Sequence, residues 1–181
     1  MSKIIIHGGF FSESSTNIET KIAKQQALLR IVKDSYAYLQ NHSALETVVY
    51  AVSQLEDDEL FNAGIGSQIQ SDGKIRMSAS LMDGESQKMS GVINIEEVKN
   101  PIQVAQVLMQ VDDRILGGSG ATNFARKHGF ESFSTEIPQR RAEYEAKLAS
   151  LGTGTVGCVA LDKNGKIAVA TSTGGKGFEI P

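Results

Sequence analysis

The chain has 181 residues, 40% of them hydrophobic, and a formal net charge of −3. That length suits one domain with a buried core, and the absence of a basic excess argues against a nucleic-acid partner. There is no run of about 18 apolar residues to span a membrane, and the opening Ile4-Ile5-Ile6 is too short for a signal peptide, so a soluble, cytoplasmic protein is expected.

Ile4-Ile5-Ile6 reads as a buried strand that ends in a tight loop at Gly8-Gly9. A helical pattern follows from about Ile18 to Leu39, with apolar residues at Ile22, Ala23, Leu28, Leu29, Val32 and Tyr36. Ser43-Ala44-Leu45-Glu46 has capping-box spacing, so a second helix starts there and runs to about Gln54. In Phe61-Asn62-Ala63-Gly64-Ile65-Gly66, two glycines two apart suggest a loop whose backbone approaches something closely. Strands are expected around Ser67–Gln70 and Lys74–Met82, joined by the turn Ser71-Asp72-Gly73, and again near Met89–Ile95. Pro101 fits the first turn of a helix reaching about Gln110. Gly118-Ser119-Gly120 leads into a helix that Gly129 ends. The polar stretch 131–154, helical and charged after Pro138, reads as a mobile connection.

The last part of the chain changes character. Thr155–Leu161 and Ile167–Thr173 are strand-like, and Lys163-Asn164-Gly165-Lys166 is a hairpin turn, because Asn-Gly tolerates positive φ at both central positions. Strands that alternate with helices and then close in a hairpin make the class mixed α/β. Cys158 is the only cysteine, and its place inside a strand suits a small buried residue better than a nucleophile. His7, His42 and His128 lie far apart without metal-ligand spacing. Gly117-Gly118-Ser119-Gly120-Ala121 lacks the lysine of a phosphate loop and reads as a glycine-rich helix start.

The segment with most chemical content is Gly154-Thr155-Val156-Gly157-Cys158-Val159-Ala160-Leu161-Asp162. Threonine is a poor nucleophile unless a base sits beside it. An α-amine, with a pKa near 8, is such a base, and on the same residue it is already in place. Thr155 is internal, so only a cut between Gly154 and Thr155 would free that amine. Glycine before the cut tolerates a strained peptide and leaves its carbonyl open to the hydroxyl. Taken alone, a threonine opening a strand is more often structural.

This segment resembles the autocleavage site of plant-type asparaginases/isoaspartyl peptidases, which are N-terminal-nucleophile hydrolases. Thr171-Ser172-Thr173-Gly174-Gly175 is similar to the second signature of that family. Phe61-Asn62-Ala63-Gly64-Ile65-Gly66-Ser67, Met82-Asp83-Gly84, Asn100-Pro101-Ile102 and the opening His7-Gly8-Gly9 match as well, all in family order. The resemblance implies a four-layer αββα sandwich, here incomplete at its C-terminal side. Residues 1–154 would be the first-subunit region and 155–181 the start of the second. It implies Thr155 as the nucleophile freed by cleavage after Gly154, Thr173 as the threonine that poises it, and Asn62 as a residue that orients water or the amine. Gly8 and Gly9 match a glycine loop linked to autocleavage.

By the same resemblance, the carbonyls of Leu55, Glu56, Asp58, Phe61, Ala63 and Ile65 would bind a structural sodium ion, and no organic cofactor is implied. Backbone oxygens suit a hard cation. Read without the resemblance, Glu56-Asp57-Asp58-Glu59 is a solvated helix end. The implied substrates are small molecules, L-asparagine or β-aspartyl dipeptides, and the implied assembly is a homodimer of αβ heterodimers with no nucleic acid or membrane partner. Two departures stand out: Phe10-Phe11 follow the first glycine loop, and Ser78-Ala79-Ser80 lacks a family carboxylate before Met82-Asp83-Gly84. The groups that hold substrate and form the oxyanion hole are expected beyond Pro181, so the chain by itself is expected to hydrolyse asparagine poorly. Two alternatives follow: a truncated or inactive fragment that serves only as a binding partner, and a glycosylasparaginase-like hydrolase.

Overall fold

Six strands form one sheet in the order β1-β5-β6-β2-β3-β4. The structure is a computed structural model that describes residues 1–9, 18–111, 115–147 and 155–175. The strands are β1 (Lys3–His7), β2 (Met77–Asp83), β3 (Lys88–Ile95), β4 (Ile115–Gly117), β5 (Val156–Leu161) and β6 (Ile167–Thr173). The helices are α1 (Ile18–Leu39), α2 (Ala44–Glu56), α3 (Pro101–Leu108), α4 (Gly118–Lys127) and α5 (Pro138–Lys147). All pairings are antiparallel except β3 with β4.

Why α2 forms and where it lies can be read from its residues. Ser43 accepts from the Glu46 N–H at 3.2 Å while Glu46 accepts from the Ser43 N–H at 2.9 Å, so the capping box is complete. Thr47, Val48, Ala51, Val52 and Leu55 repeat at three- and four-residue steps and are all buried. That stripe packs on β5 and β6, α3 packs on β2 and β3, and α1 packs on β1 and α2. α2 therefore stands directly beneath the hairpin that starts at Val156.

Side chains alternate across the sheet, so each row of paired residues belongs to one face. Ile6, Cys158, Ala170, Leu81 and Ser90 are one row, and the last four are buried under the helices. The row beside it, Ile5-Val159-Val169-Met82-Met89, lies on the opposite face. There Ile5 is 69% exposed, Met89 47% and Met82 43%, so no described element covers that face. The described residues thus make a layer of helices on one face of a single sheet.

The sequence reading needs correction in four places. Ser67–Gln70 is not a strand. Its backbone is used locally instead, with the Gln68 N–H bound to Asn62 Oδ1 and the Gln70 N–H to the Lys74 carbonyl. β2 begins only at Met77, where its pairing with Ile95 begins. β4 was not anticipated, because three residues are too few to show a pattern. At the late hairpin, only Gly165 has positive φ (79°), and the Asp162 carboxylate accepts from the N–H groups of Asn164 and Lys166. The turn is therefore held by Asp162 and a single left-handed glycine.

Within 131–147, α5 is tied to the rest of the fold. Buried Arg140 donates from Nε to the Gly66 carbonyl at 2.8 Å, and the Tyr144 hydroxyl donates to the Ser71 carbonyl at 3.1 Å.

Candidate functional site

β5 and β6 bring Thr155 and Thr173 together. Val156 pairs with Ser172, so Thr155, one residue before the ladder, falls opposite Thr173. The Thr155 hydroxyl donates to the Thr173 Oγ1 at 3.3 Å. Thr173 Oγ1 also accepts from the Gly175 N–H at 3.1 Å, which fixes the rotamer that faces Thr155. Thr155 is exposed and Thr173 half-buried, so the pair is open to solvent on one side. Gly154 lies outside the described residues.

Asn62 closes the site from the α2 side. Its Nδ2 donates to the Gly175 carbonyl at 2.7 Å, its Oδ1 accepts from Gln68 N–H, and its carbonyl accepts from Gly174 N–H at 3.0 Å. Asn62 thus joins the loop after α2 to the end of β6. Gly174 has no room for a side chain, since a Cβ there would fall 2.4 Å from Ser67 Cβ and 2.7 Å from Asn62 Oδ1.

The opening loop arrives from β1. A Cβ at Gly8 would lie 2.8 Å from Leu28 Cδ2 and 2.9 Å from Phe61 Cε1, and Gly9 has φ 90°. His7, the last residue of β1, places Nδ1 3.0 Å from the Thr155 carbonyl oxygen. The sequence reading weighed His7 as a metal ligand and quoted it in a motif but gave it no role at Thr155; its place at a strand end before two glycines was the signal.

The loop from Leu55 to Ile65 is wound tightly around two glycines. A Cβ at Gly64 would sit 2.1 Å from the Glu56 carbonyl oxygen, and one at Gly66 would sit 1.9 Å from the Phe61 carbonyl oxygen. These carbonyls bend inward around space that only glycine leaves open. The Asp58 and Ala63 carbonyls accept from the N–H groups of Phe61 and Gly66. Among the described residues, no group of three or more His, Cys, Asp or Glu side chains could hold a metal ion. Gly66→Ala should therefore destabilise the fold by about 3 kcal/mol or more. Gly120→Ala on α4, with nothing within 4 Å of the added carbon, should be neutral or stabilising by up to about 1 kcal/mol. Urea denaturation of the two variants checks both; equal midpoints would contradict the packing described.

Within the acidic run, Asp57 and Glu59 are exposed as a solvated helix end would be, but Glu56 is not. Glu56 is fully buried, and its carboxyl accepts from the Ile102 N–H at the start of α3 at 3.2 Å. Burial pushes its pKa up to about 8, while the Ser172 hydroxyl, the Ile102 N–H and Asn100 oppose the rise and Asp57 adds to it. Ser172 lies close enough to lower the pKa but not in hydrogen-bond geometry, since Ser172 Oγ and Glu56 Oε2 both lack a partner. Asp57 pairs with Lys99 and Asp58 with Arg30. The sequence did hold a signal for Glu56: it follows Val48 and Val52 at four-residue steps, on the buried stripe of α2.

The remaining candidates are structural. Cys158 is buried, which pushes its thiol up to about 12 and keeps it protonated. His42 and His128 are exposed at helix ends, each with Nδ1 2.9 Å from the carbonyl four residues back. No described helix is long and apolar enough to cross a membrane.

Comparison with known proteins adds a second line. The family described as Asparaginase matches residues 1–146 and 134–181. An isoaspartyl peptidase/L-asparaginase of Synechocystis sp. is 44% identical over 98% of this chain. A plant-type L-asparaginase of Pyrobaculum calidifontis is 35% identical over 100% of it, and an isoaspartyl peptidase of Escherichia coli 34% identical over 98%. The chain spans 59% of the length of the first relative, 65% of the second and 62% of the third.

Proposed function

Because this chain belongs to the asparaginase family, we propose that it carries the nucleophile of an amidohydrolase that cleaves the side-chain amide of L-asparagine and the isopeptide bond of β-aspartyl dipeptides. The observation that carries the reading is the pair Thr155–Thr173 at 3.3 Å, at the head of the β5–β6 hairpin. The relatives' names supply the substrate class, small molecules with a β-amide. The architecture proposed with it is the αββα sandwich, in which a second sheet would lie on the open Ile5-Val159-Val169-Met82-Met89 face.

The chemistry follows from the pair. The Thr155 hydroxyl attacks the Gly154 carbonyl. As the C–N bond breaks, the nitrogen takes the hydroxyl proton and becomes the free α-amine, leaving Gly154 as an ester on the Thr155 oxygen. Water hydrolyses that ester to release the Gly154 carboxylate and restore the hydroxyl. That amine then serves as base. The hydroxyl attacks the substrate carbonyl, ammonia or an amino acid leaves, and water hydrolyses the acyl-enzyme to aspartate. Thr173, bonded to the Thr155 hydroxyl, holds it in one rotamer. Asn62 fixes the strand end that carries Thr173, through its bonds to Gly174 and Gly175. Gly8 gives the opening loop its close approach to Leu28 and Phe61, next to His7, which contacts Thr155.

A sodium ion is part of the proposal, in the loop after α2, where the Glu56 and Phe61 carbonyls crowd Gly64 and Gly66 and backbone oxygens suit a hard cation. Leu55, Glu56, Asp58, Phe61, Ala63 and Ile65 would hold it through their carbonyls. When bound, it would supply only fixed positive charge that ties the loop carrying Asn62. The assembly proposed is a homodimer of αβ heterodimers in the cytoplasm.

The test is hydrolysis of a panel by the protein that carries this chain. Release of ammonia from asparagine and of an amino acid from a β-aspartyl dipeptide is expected. Turnover of glycosylated asparagine alone would move the assignment to the glycosylasparaginase reading, and no turnover of any of the three would sink it.

A further inference from the structure

We infer that His7 is a positioning residue for Thr155: its Nδ1–H donates to the Thr155 carbonyl and holds the residue that bears the nucleophilic hydroxyl. The inference rests on the reading of Thr155 as nucleophile given above.

The backbone explains why a side chain is needed there. The β1–β5 ladder ends at the pair His7–Gly157. Thr155 lies two residues before Gly157, past the end of the ladder, and β1 turns away at Gly8-Gly9. No β1 backbone N–H continues the ladder to the Thr155 carbonyl, and the His7 imidazole takes that place, 3.0 Å away. A second bond competes for the same nitrogen, because the Gly9 N–H points at Nδ1 from 3.4 Å. The two demand opposite tautomers. A carbonyl can only accept, so the contact with Thr155 requires a proton on Nδ1, whereas Gly9 requires a lone pair there. The shorter contact decides for Nδ1–H.

The consequence is directional. Thr155 is otherwise held by Val156, its neighbour in β5, and by the side-chain contact to Thr173. Its carbonyl sets the peptide plane that follows the nucleophile, and so the aim of the hydroxyl. Fixing that plane costs His7 nothing in burial, because its ring is exposed.

Two measurements on the full chain test this. The first is the tautomer, read from long-range proton–nitrogen NMR of the imidazoles, with His7 assigned by its disappearance in His7→Asn. Nδ1–H at His7 is expected; Nε2–H overturns the inference. The second is the rate of scission before Thr155, followed by intact mass. His7→Leu should slow it by about three- to tenfold, the range of a single lost hydrogen bond. His7→Asn, whose Nδ2 takes the place of Nδ1 as donor, should recover most of the rate. Equal rates in wild type and His7→Leu, or no recovery in His7→Asn, overturn the positioning role. A wild-type chain that stays intact contradicts the reading of Thr155 itself and removes the role with it, and the tautomer then still reports whether the contact exists.

Discussion

Thr155→Ala should leave the chain folded and stop scission at the Gly154–Thr155 bond. The variant removes the oxygen that would attack, and loss of a nucleophile of this kind lowers rates by roughly 10⁶-fold. Thr155 is exposed and precedes the first paired residue of β5, so the fold should change by no more than about 0.5 kcal/mol. Thr155→Ser keeps the oxygen and its path to Thr173 and should still cleave. Intact mass over time, beside a thermal melt, separates the two variants. Cleavage in Thr155→Ala at the wild-type rate would remove Thr155 from the mechanism, as would hydrolysis of asparagine by that variant.

The second large effect concerns Glu56 and pH. Its carboxyl, held near 8 by burial, has an ordinary value of 4.5 when exposed. The folded state therefore binds a proton that the unfolded state has already released between those values. The contribution to stability is full below about 4.5 and is lost as pH rises through about 8. A few kcal/mol are at stake across that window. Glu56→Gln keeps the acceptor for the Ile102 N–H and removes the titration. The variant should match the wild type near about pH 5 and be the more stable of the two near about pH 9. Urea melts at both pH values check it, and parallel stability curves would show that Glu56 is ionised in the folded chain.

These two residues mark what the sequence made legible. Thr155 and Thr173 were named from the family resemblance; what the sequence made legible by itself is the hairpin turn at Asn164-Gly165 between their two strands, because a turn is local information. The capping box at Ser43 and Glu46 was legible for the same reason: its bonds close within one helical turn. Glu56 was misread because charge in a run of four acids outweighed its place on the α2 stripe, and burial is set by β6 and α3, far along the chain. Ser67–Gln70 has strand-like composition, but Asn62 and Lys74 take its backbone bonds, which no window of that segment contains. The contact of His7 with Thr155 spans 148 residues and depends on β1 joining the sheet beside β5, so it appears only in three dimensions.

The central claim is that Thr155 is freed as an N-terminal nucleophile. Mass spectrometry of the purified chain after incubation, with N-terminal sequencing of the smaller fragment, tests it most directly. The prediction is one break, yielding residues 1–154 and a fragment that begins Thr-Val-Gly-Cys. A single species that stays at 19.4 kDa, or a break at any other bond, would contradict it.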